Sequence, residues 1–212
     1  DSWVAFTSIS AVDYIRYIPY AECYRSGSNV HVQTCPLPGQ IAMVDVYKRF
    51  YGAERYARES GCTALAVDGS GNITCDSGIF WATLEQYSII PVTPSTKWWF
   101  CHHESSIWVN TFHLNNPVVQ DGYYDDGVGL HALTTGYWVI HQIYRGIEDQ
   151  DHLYIVLSDA EYATSDDARA EQGLVNVPDL ISSHAVLIGR IIVQQGTFVG
   201  AICESAFSSK FT

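Results

Sequence analysis

The chain has 212 residues, of which only 16% are charged, and its formal net charge is −12. An acidic surface repels nucleic acids and anionic membranes, so neither is expected as a partner. No apolar run approaches the roughly 20 residues that span a bilayer, which argues against membrane insertion.

Segments rich in β-branched or aromatic residues and bounded by turn-forming residues predict short strands in the first half of the chain. They cover residues 3–9, 29–34, 64–67, 72–75, 79–84, 88–92, 98–101 and 107–112. The turn that begins at Asp68 predicts a hairpin of residues 64–67 and 72–75. Residues 102–106 are expected to form the turn between the last two strands, and Pro91 and Pro94 mark an edge of the sheet or an exit from it.

Two segments are candidates for helices, and a third for a single helical turn. Apolar residues between 44 and 60 approximate the 3.6-residue period of a helix, with Gly61 as its C-cap. Thr164 and Asp167 have the spacing of a capping box, so a short helix is expected to start there and to end at Gly173. Residues 178–184 predict one more helical turn.

Three apolar stretches in the second half are the best-specified strands: residues 137–144, 152–157 and 185–193. In the last of them, Ile188 and Ile192 share one face while Leu187 and Ile191 share the other. The strands of a sheet with one solvent-exposed face would alternate apolar with polar residues. These strands therefore lie either centrally in a packed sandwich or under a neighbouring subunit. Arg190 is expected to pair with an acid or a carbonyl if its face is buried.

The C-terminal half also carries several motifs in a fixed order. They are Tyr123-Tyr-Asp-Asp-Gly-Val-Gly-Leu130, Leu133-Thr-Thr-Gly-Tyr-Trp-Val-Ile-His-Gln-Ile-Tyr-Arg145 and Leu187-Ile-Gly-Arg-Ile-Ile-Val193. Together they resemble a module of tail-fibre and related virion proteins of tailed bacteriophages. The resemblance implies a structural or receptor-binding virion component, mostly β and homotrimeric, and it carries no catalytic residues with it.

The expected fold is thus mainly β: an antiparallel, β-sandwich-like domain with one or two short helices, assembled as a homotrimer. A single domain over residues 1–212 is expected, because the loop at residues 115–129 does not have the composition of a flexible linker. The alternative is a division there into a variable β region, residues 1–114, and the fibre-like module, residues 115–212.

The expected function is that of a non-enzymatic structural protein of a tail fibre or similar appendage, without a cofactor. It is expected in the virion, after assembly in the host cytoplasm, with other virion proteins and a host-surface glycan or protein as partners. Five aromatic residues are candidates for the binding surface: Trp98, Trp99, Trp108, Tyr123 and Tyr124. Core packing is the alternative for each ring. Because Trp98 and Trp99 are adjacent, one of them faces away from the core if they lie in a strand.

Two other functions stay open. Asp121, Asp125 and Asp126 form one acidic cluster, and Asp149 and Asp151 form another. Paired carboxylates serve glycoside hydrolysis, so a glycan hydrolase is one alternative, although Asp beside Gly more often forms turns. A purely architectural capsid decoration protein without a receptor is the other.

The cysteine and histidine residues are candidates for covalent links and for metal binding. The six cysteines include two pairs that flank turns and are disulfide candidates, Cys62 with Cys75 and Cys23 with Cys35. Buried thiols are the alternative. His103 and His113 are weak candidates for metal ligands that a hairpin would bring together, but no metal is expected because the spacing matches no metal-binding motif.

Overall fold

The computed structural model describes residues 21–26, 29–34, 56–82, 85–147, 152–171 and 176–207. Strands dominate these residues and two short helices accompany them, which confirms the mainly β class. None of the helices in this part of the chain has the length and hydrophobicity that crossing a membrane would require.

Contacts divide the chain into two compact units, residues 1–57 with 82–85 and residues 58–81 with 86–212. The described strands of the first unit are β1 (Ala21–Ser26) and β2 (Asn29–Thr34), which form an antiparallel hairpin. The prediction of a strand at residues 29–34 is confirmed. Cys23 lies opposite Val32, whereas Cys35, its predicted disulfide partner, lies outside the described residues, as does the strand predicted at 3–9.

From residue 56 onward the strands are β3 (Tyr56–Gly61), β4 (Ala66–Val67), β5 (Ile73–Thr74), β6 (Gly78–Ala82), β7 (Glu85–Ile89), β8 (Lys97–Glu104), β9 (Ile107–His113), β10 (Tyr123–Asp125), β11 (Leu130–Ala132), β12 (Trp138–Gly146), β13 (His152–Leu157), β14 (Ala185–Gln194) and β15 (Thr197–Ser205). The helices are α1 (Ser165–Ala170) and α2 (Asp179–His184). The main sheet has six strands in the order β15-β14-β12-β13-β8-β9. Smaller sheets are β3-β6-β7, β4-β5 and β10-β11.

The main sheet contains the three strands that the sequence specifies best, and all three predictions are confirmed. Strand β12 pairs antiparallel with both β13 and β14, while β13 pairs in parallel with β8. Helix α1 packs Ala168 against Ile140 and Ile192, and helix α2 packs Ile181 into a cluster with Tyr144 and other side chains of the sheet. The sheet therefore forms the core of the second unit.

Both apolar faces of β14 are covered within one chain. Ile188, Ile191, Ile192 and Val193 have no exposed surface. A Cβ atom built on Gly189 would lie 2.8 Å from the Cδ2 atom of Leu65, so the segment before β4 packs directly on this strand. Of the two expected explanations for its apolar faces, central packing within the chain is the one observed.

The helix predicted at residues 44–60 is wrong at its C-terminal end, where β3 runs instead, and residues 44–55 lie outside the described part of the chain. Pairing with β6 outweighs the local helical period. The Trp81 indole Nε1 donates to Glu59 Oε2 at 2.7 Å. Gly61 has the positive φ expected of a C-cap, 72°, but it ends a strand, and its backbone lies too close to Ser77 for a side chain.

The helix predicted to start at Thr164 is confirmed, with one of the two hydrogen bonds of a capping box. Thr164 is the N-cap of α1, and the Asp167 backbone N–H donates to its hydroxyl at 3.1 Å. The helix ends at Ala170, and Gly173, its predicted end, lies outside the described residues. The helical turn predicted at residues 178–184 is confirmed as α2.

Candidate functional site

A pocket of about 370 Å³ lies beside strands β8, β9 and β10. Its lining combines the rings of Trp108 and Tyr162 with the amide side chains of Gln142 and Asn176 and with four acidic side chains. The four carboxylates belong to Asp125, Asp126, Asp159 and Glu171. Such a lining offers flat apolar surface together with many hydrogen-bond acceptors.

Asp125 is a buried, hydrogen-bonded carboxylate in the lining of this pocket. Its side chain is almost fully buried, with 3% of its surface exposed. Carboxylate oxygen Oδ2 accepts from the backbone N–H of His103 at 2.7 Å and lies 3.0 Å from His103 Nδ1, while Oδ1 accepts from the Gly127 N–H at 3.0 Å. A carboxylate only accepts, so Nδ1 of the neutral ring carries the proton and Nε2 is left as an acceptor.

Trp108 covers the His103 ring because of the register of the β8–β9 hairpin. The two residues are cross-strand partners, and their ring centroids are 3.7 Å apart. The turn between the strands has only two residues, Ser105 and Ser106, with φ values of 53° and 65°. The predicted turn at residues 102–106 is therefore too long, and a slip of one residue would move Trp108 to the other face of the hairpin.

Asp126 holds the turn between β10 and β11. Its Oδ1 accepts from the backbone N–H groups of Val128 and Gly129 at 2.8 and 3.0 Å, and Oδ2 lies 2.9 Å from His131 Nε2. Hydrogen bonds from the Val128 and Gly129 N–H groups lower the pKa of this carboxyl. The turn-forming interpretation of this Asp–Gly stretch is supported, although the loop predicted at residues 115–129 contains strand β10.

Tyr162 supplies a neutral hydroxyl on the acidic side of the pocket. Burial, followed by the charges of Glu171 and Asp159, raises its pKa to about 12. The phenol therefore keeps its proton at physiological pH and can donate a hydrogen bond. Sequence reasoning missed these three residues, because they come from separate segments and show no spacing that links them to Asp125.

The predicted binding residues fall in three different places. Only Trp108 lines the pocket. Trp98, 2% exposed, stacks on His113 and donates from Nε1 to the Asn115 carbonyl at 2.9 Å. Trp99 is half-buried against the cluster around α2, and its Nε1 has no hydrogen-bond partner among the described residues.

Tyr123 and Tyr124 lie on β10, just before Asp125, but outside the pocket lining. Tyr123 is exposed, whereas Tyr124 is half-buried and stacks on His131 with 5.5 Å between the ring centroids. Asp121 also lies outside the lining.

The hypothesis that a hairpin brings His103 and His113 together is wrong. His103 is paired with Trp108 near the turn, and His113 is paired with Trp98 at the open end of the same hairpin. Among the described residues, no three His, Cys, Asp or Glu side chains form a group that could hold a metal ion. The acidic pair Asp149 and Asp151 lies outside those residues.

The fold and the site thus define a mainly β protein with an acidic, aromatic-walled pocket next to the edge hairpin of its main sheet. Comparison of the chain with protein-family models, with curated proteins and with solved structures finds no match. The resemblance of residues 123–207 to tail-fibre modules therefore stays a prediction from the sequence.

Proposed function

We propose that the protein is a non-enzymatic component of a tailed-bacteriophage appendage and that it binds a host-surface glycan in the pocket formed by His103, Trp108 and Asp125. The observation that carries the binding proposal is the Trp108 ring, held against an immobilised histidine at the wall of a carboxylate-rich pocket. Sugars are bound by stacking on such rings and by hydrogen bonds from their hydroxyls to fixed acceptors.

The volume and charge of the pocket narrow the ligand class. A pocket of about 370 Å³ is at the small end of ligand sites, which favours recognition of one or two sugar residues rather than a long chain segment. The four acidic side chains repel carboxylated sugars such as uronic acids. Neutral or amino sugars are therefore the proposed ligands.

The appendage part of the proposal rests on the resemblance of the C-terminal half. It brings the homotrimer, the β-sandwich-like packing, the location in the virion and the other virion proteins as partners. The mainly β fold agrees with this class but is shared by many others.

The hydrolase alternative is less well supported by the contacts of Asp125 and Asp126. Both carboxylates accept several hydrogen bonds from backbone N–H groups, one on β8 and the others in the turn after β10. A general acid needs a raised pKa, whereas the pKa of Asp126 is lowered. The proposed role of this cluster is therefore to shape a binding pocket.

A glycan array followed by titration calorimetry tests the proposal. Replacing Trp108 with Ala removes the stacking surface and is expected to weaken binding of the array hit about tenfold. The matched control is Tyr123→Ala, which removes an exposed aromatic ring outside the pocket lining and is expected to leave the affinity unchanged.

Three results would contradict the proposal, each in a different way. Absence of any array binding by the intact protein would favour an architectural role. Release of shorter sugars from a bound glycan would favour the hydrolase. Loss of binding in Tyr123→Ala but not in Trp108→Ala would move the site to the surface of β10.

A further inference from the structure

We propose that Cys62 and Cys75 are a redox-active pair that forms a reversible disulfide, independently of the proposed glycan site. Both side chains are buried, with 1% and 4% of their surface exposed, and both are free thiols in the structure. Each thiol has the largest influence on the pKa of the other, so the two side chains lie close together. They also converge on one residue, since Cys62 Sγ donates to the Asp76 carbonyl at 3.7 Å and Cys75 Sγ to its Oδ1 at 3.6 Å.

The backbone at Cys62 has an uncommon conformation, and the space around its sulfur is closely defined. Gly61 and Cys62 have consecutive positive φ values of 72° and 52°. That conformation is uncommon for any residue with a side chain and favours Gly or Asn. On the opposite side, a Cβ atom on Gly78 would lie 2.7 Å from Cys62 Sγ, so the glycine leaves the space that the sulfur fills.

The two thiols are chemically unequal, which assigns their roles. The neighbouring Cys75 thiol, with the nearby positive charges of Arg145 and Arg58, lowers the pKa of Cys62. The neighbouring Cys62 thiol and burial raise the pKa of Cys75. Cys62 is therefore the attacking thiolate and Cys75 the resolving thiol.

The reaction needs an oxidant, and a low-molecular-weight disulfide such as oxidised glutathione supplies it. Because the Cys62 side chain is buried, a local opening of the fold first exposes it. The Cys62 thiolate then attacks one glutathione sulfur and releases the first glutathione as a thiolate. Cys75 then loses its proton and attacks Cys62 Sγ, which closes the protein disulfide and releases the second glutathione. The two cysteines lose two electrons and two protons in total, and the glutathione disulfide gains them.

Cys101 and Cys203 provide internal controls. Cys101 is fully buried in the cluster around α2, and burial raises its pKa to about 12. Burial also raises the pKa of Cys203, which lies on β15. Neither thiol has a hydrogen bond to another cysteine among the contacts that shift its pKa, so both are expected to stay reduced.

Peptide mapping of the oxidised full-length chain tests the pair without any substitution. Cleavage before aspartate places Cys62 in residues 45–67 and Cys75 in residues 68–75, because Asp45, Asp68 and Asp76 bound these peptides. After treatment with oxidised glutathione, blocking of free thiols and digestion, the two peptides are expected to be linked and to separate on reduction. Recovery of both peptides with blocked thiols would overturn the proposal.

The disulfide is also expected to stabilise the fold, since it closes the loop that contains the β4–β5 hairpin. The melting temperature of the oxidised chain should rise by about 5 °C relative to the reduced chain. The rise should disappear in Cys75→Ser and persist in Cys203→Ser. A rise that persists in Cys75→Ser would assign the stabilisation to other cysteines and contradict the proposal.

Discussion

The pairing of Arg190 shows how a single buried charge is accommodated in an apolar strand. Its Nε donates to Glu204 Oε2 at 2.7 Å, and its two terminal nitrogens donate to the carbonyls of Glu171 and Arg169. The prediction that this arginine pairs with an acid or a carbonyl is confirmed. Arg169 also donates to Glu204 at 3.0 Å, so one carboxylate serves two guanidinium groups.

Replacing Glu204 with Gln is expected to destabilise the protein by about 3 kcal/mol, because Arg190 would lose the charge that compensates it in a largely buried site. Burial raises the pKa of Glu204, but the hydrogen bonds and charges of Arg190 and Arg169 outweigh it, and the net pKa is lowered from 4.5. The wild type therefore gains stability from this group above pH 4.5 and loses it as the pH falls through the lowered pKa.

Urea unfolding of the wild type and of Glu204→Gln over a pH series measures both effects. The stability difference between them should be largest at neutral pH and should shrink in acid. Glu104→Gln is the control, since this side chain is mostly exposed and its removal should change stability by less than about 0.5 kcal/mol. A difference that is the same at all pH values would assign the effect to packing.

At the scale of elements, the β8–β9 hairpin supplies His103 and Trp108 to the pocket. Ser105 and Ser106 occupy two positions with positive φ, where a turn of this type prefers Asn followed by Gly. The double substitution Ser105→Asn and Ser106→Gly is therefore expected to stabilise the protein by about 1 kcal/mol, as measured by thermal unfolding.

The same hairpin offers a test of register. Inserting one glycine between Ser105 and Ser106 lets the strands re-pair with Trp108 shifted relative to His103, so glycan binding should fall while strand content by circular dichroism stays unchanged. The single substitution Ser105→Asn is the matched control, because it keeps the length of the turn, lies outside the pocket lining and should keep the affinity. Unchanged binding after the insertion would contradict the assigned role of the register.

The elements differ in how far the sequence could predict them. Continuous apolar runs predicted β12, β13 and β14, because buried strands need no context beyond their own composition. The turn at Asp68 likewise predicted the β4–β5 hairpin. Strand β3 was missed because its pairing with β6 competes with a helical period, and β10 was missed because its residues belong to an Asp- and Gly-rich stretch. Strand β15 was not predicted, since Gly200 interrupts its pattern.

The candidate site could be predicted only in part, for a reason that applies at the scale of the whole molecule. Trp108 and Asp125 were identified by residue type and by neighbouring turn-formers. The two side chains converge because of the register of the β8–β9 hairpin and the position of the β10–β11 hairpin. No local sequence pattern encodes either of these. Asp159 joins them because it follows β13, which lies next to β8, and Tyr162 joins them because its backbone pairs with Trp138 on β12.

At the scale of the whole molecule, the proposed homotrimer needs surfaces through which its subunits contact each other. The two apolar faces of β14 do not require a neighbouring subunit, because the chain itself buries that strand. The two outer strands of the main sheet instead carry highly exposed apolar side chains, Ile107 on β9 at 69% and Val199 on β15 at 82%, and these support the trimer. Since the two edges differ in sequence, contact between unlike edges is heterologous and can close into a ring.

Light scattering after size exclusion measures the mass, which is expected to be three times the 23.6 kDa of the chain. Placing a charge on one edge with Val199→Asp should reduce the mass to that of one chain, because an unpaired carboxylate would enter the contact. Leu114→Asp, a change at an equally exposed apolar residue outside the strands, should leave the trimer intact. A wild-type protein that has the mass of one chain and still binds glycan would remove the trimer and leave the pocket proposal standing, because every residue of the described pocket comes from a single chain.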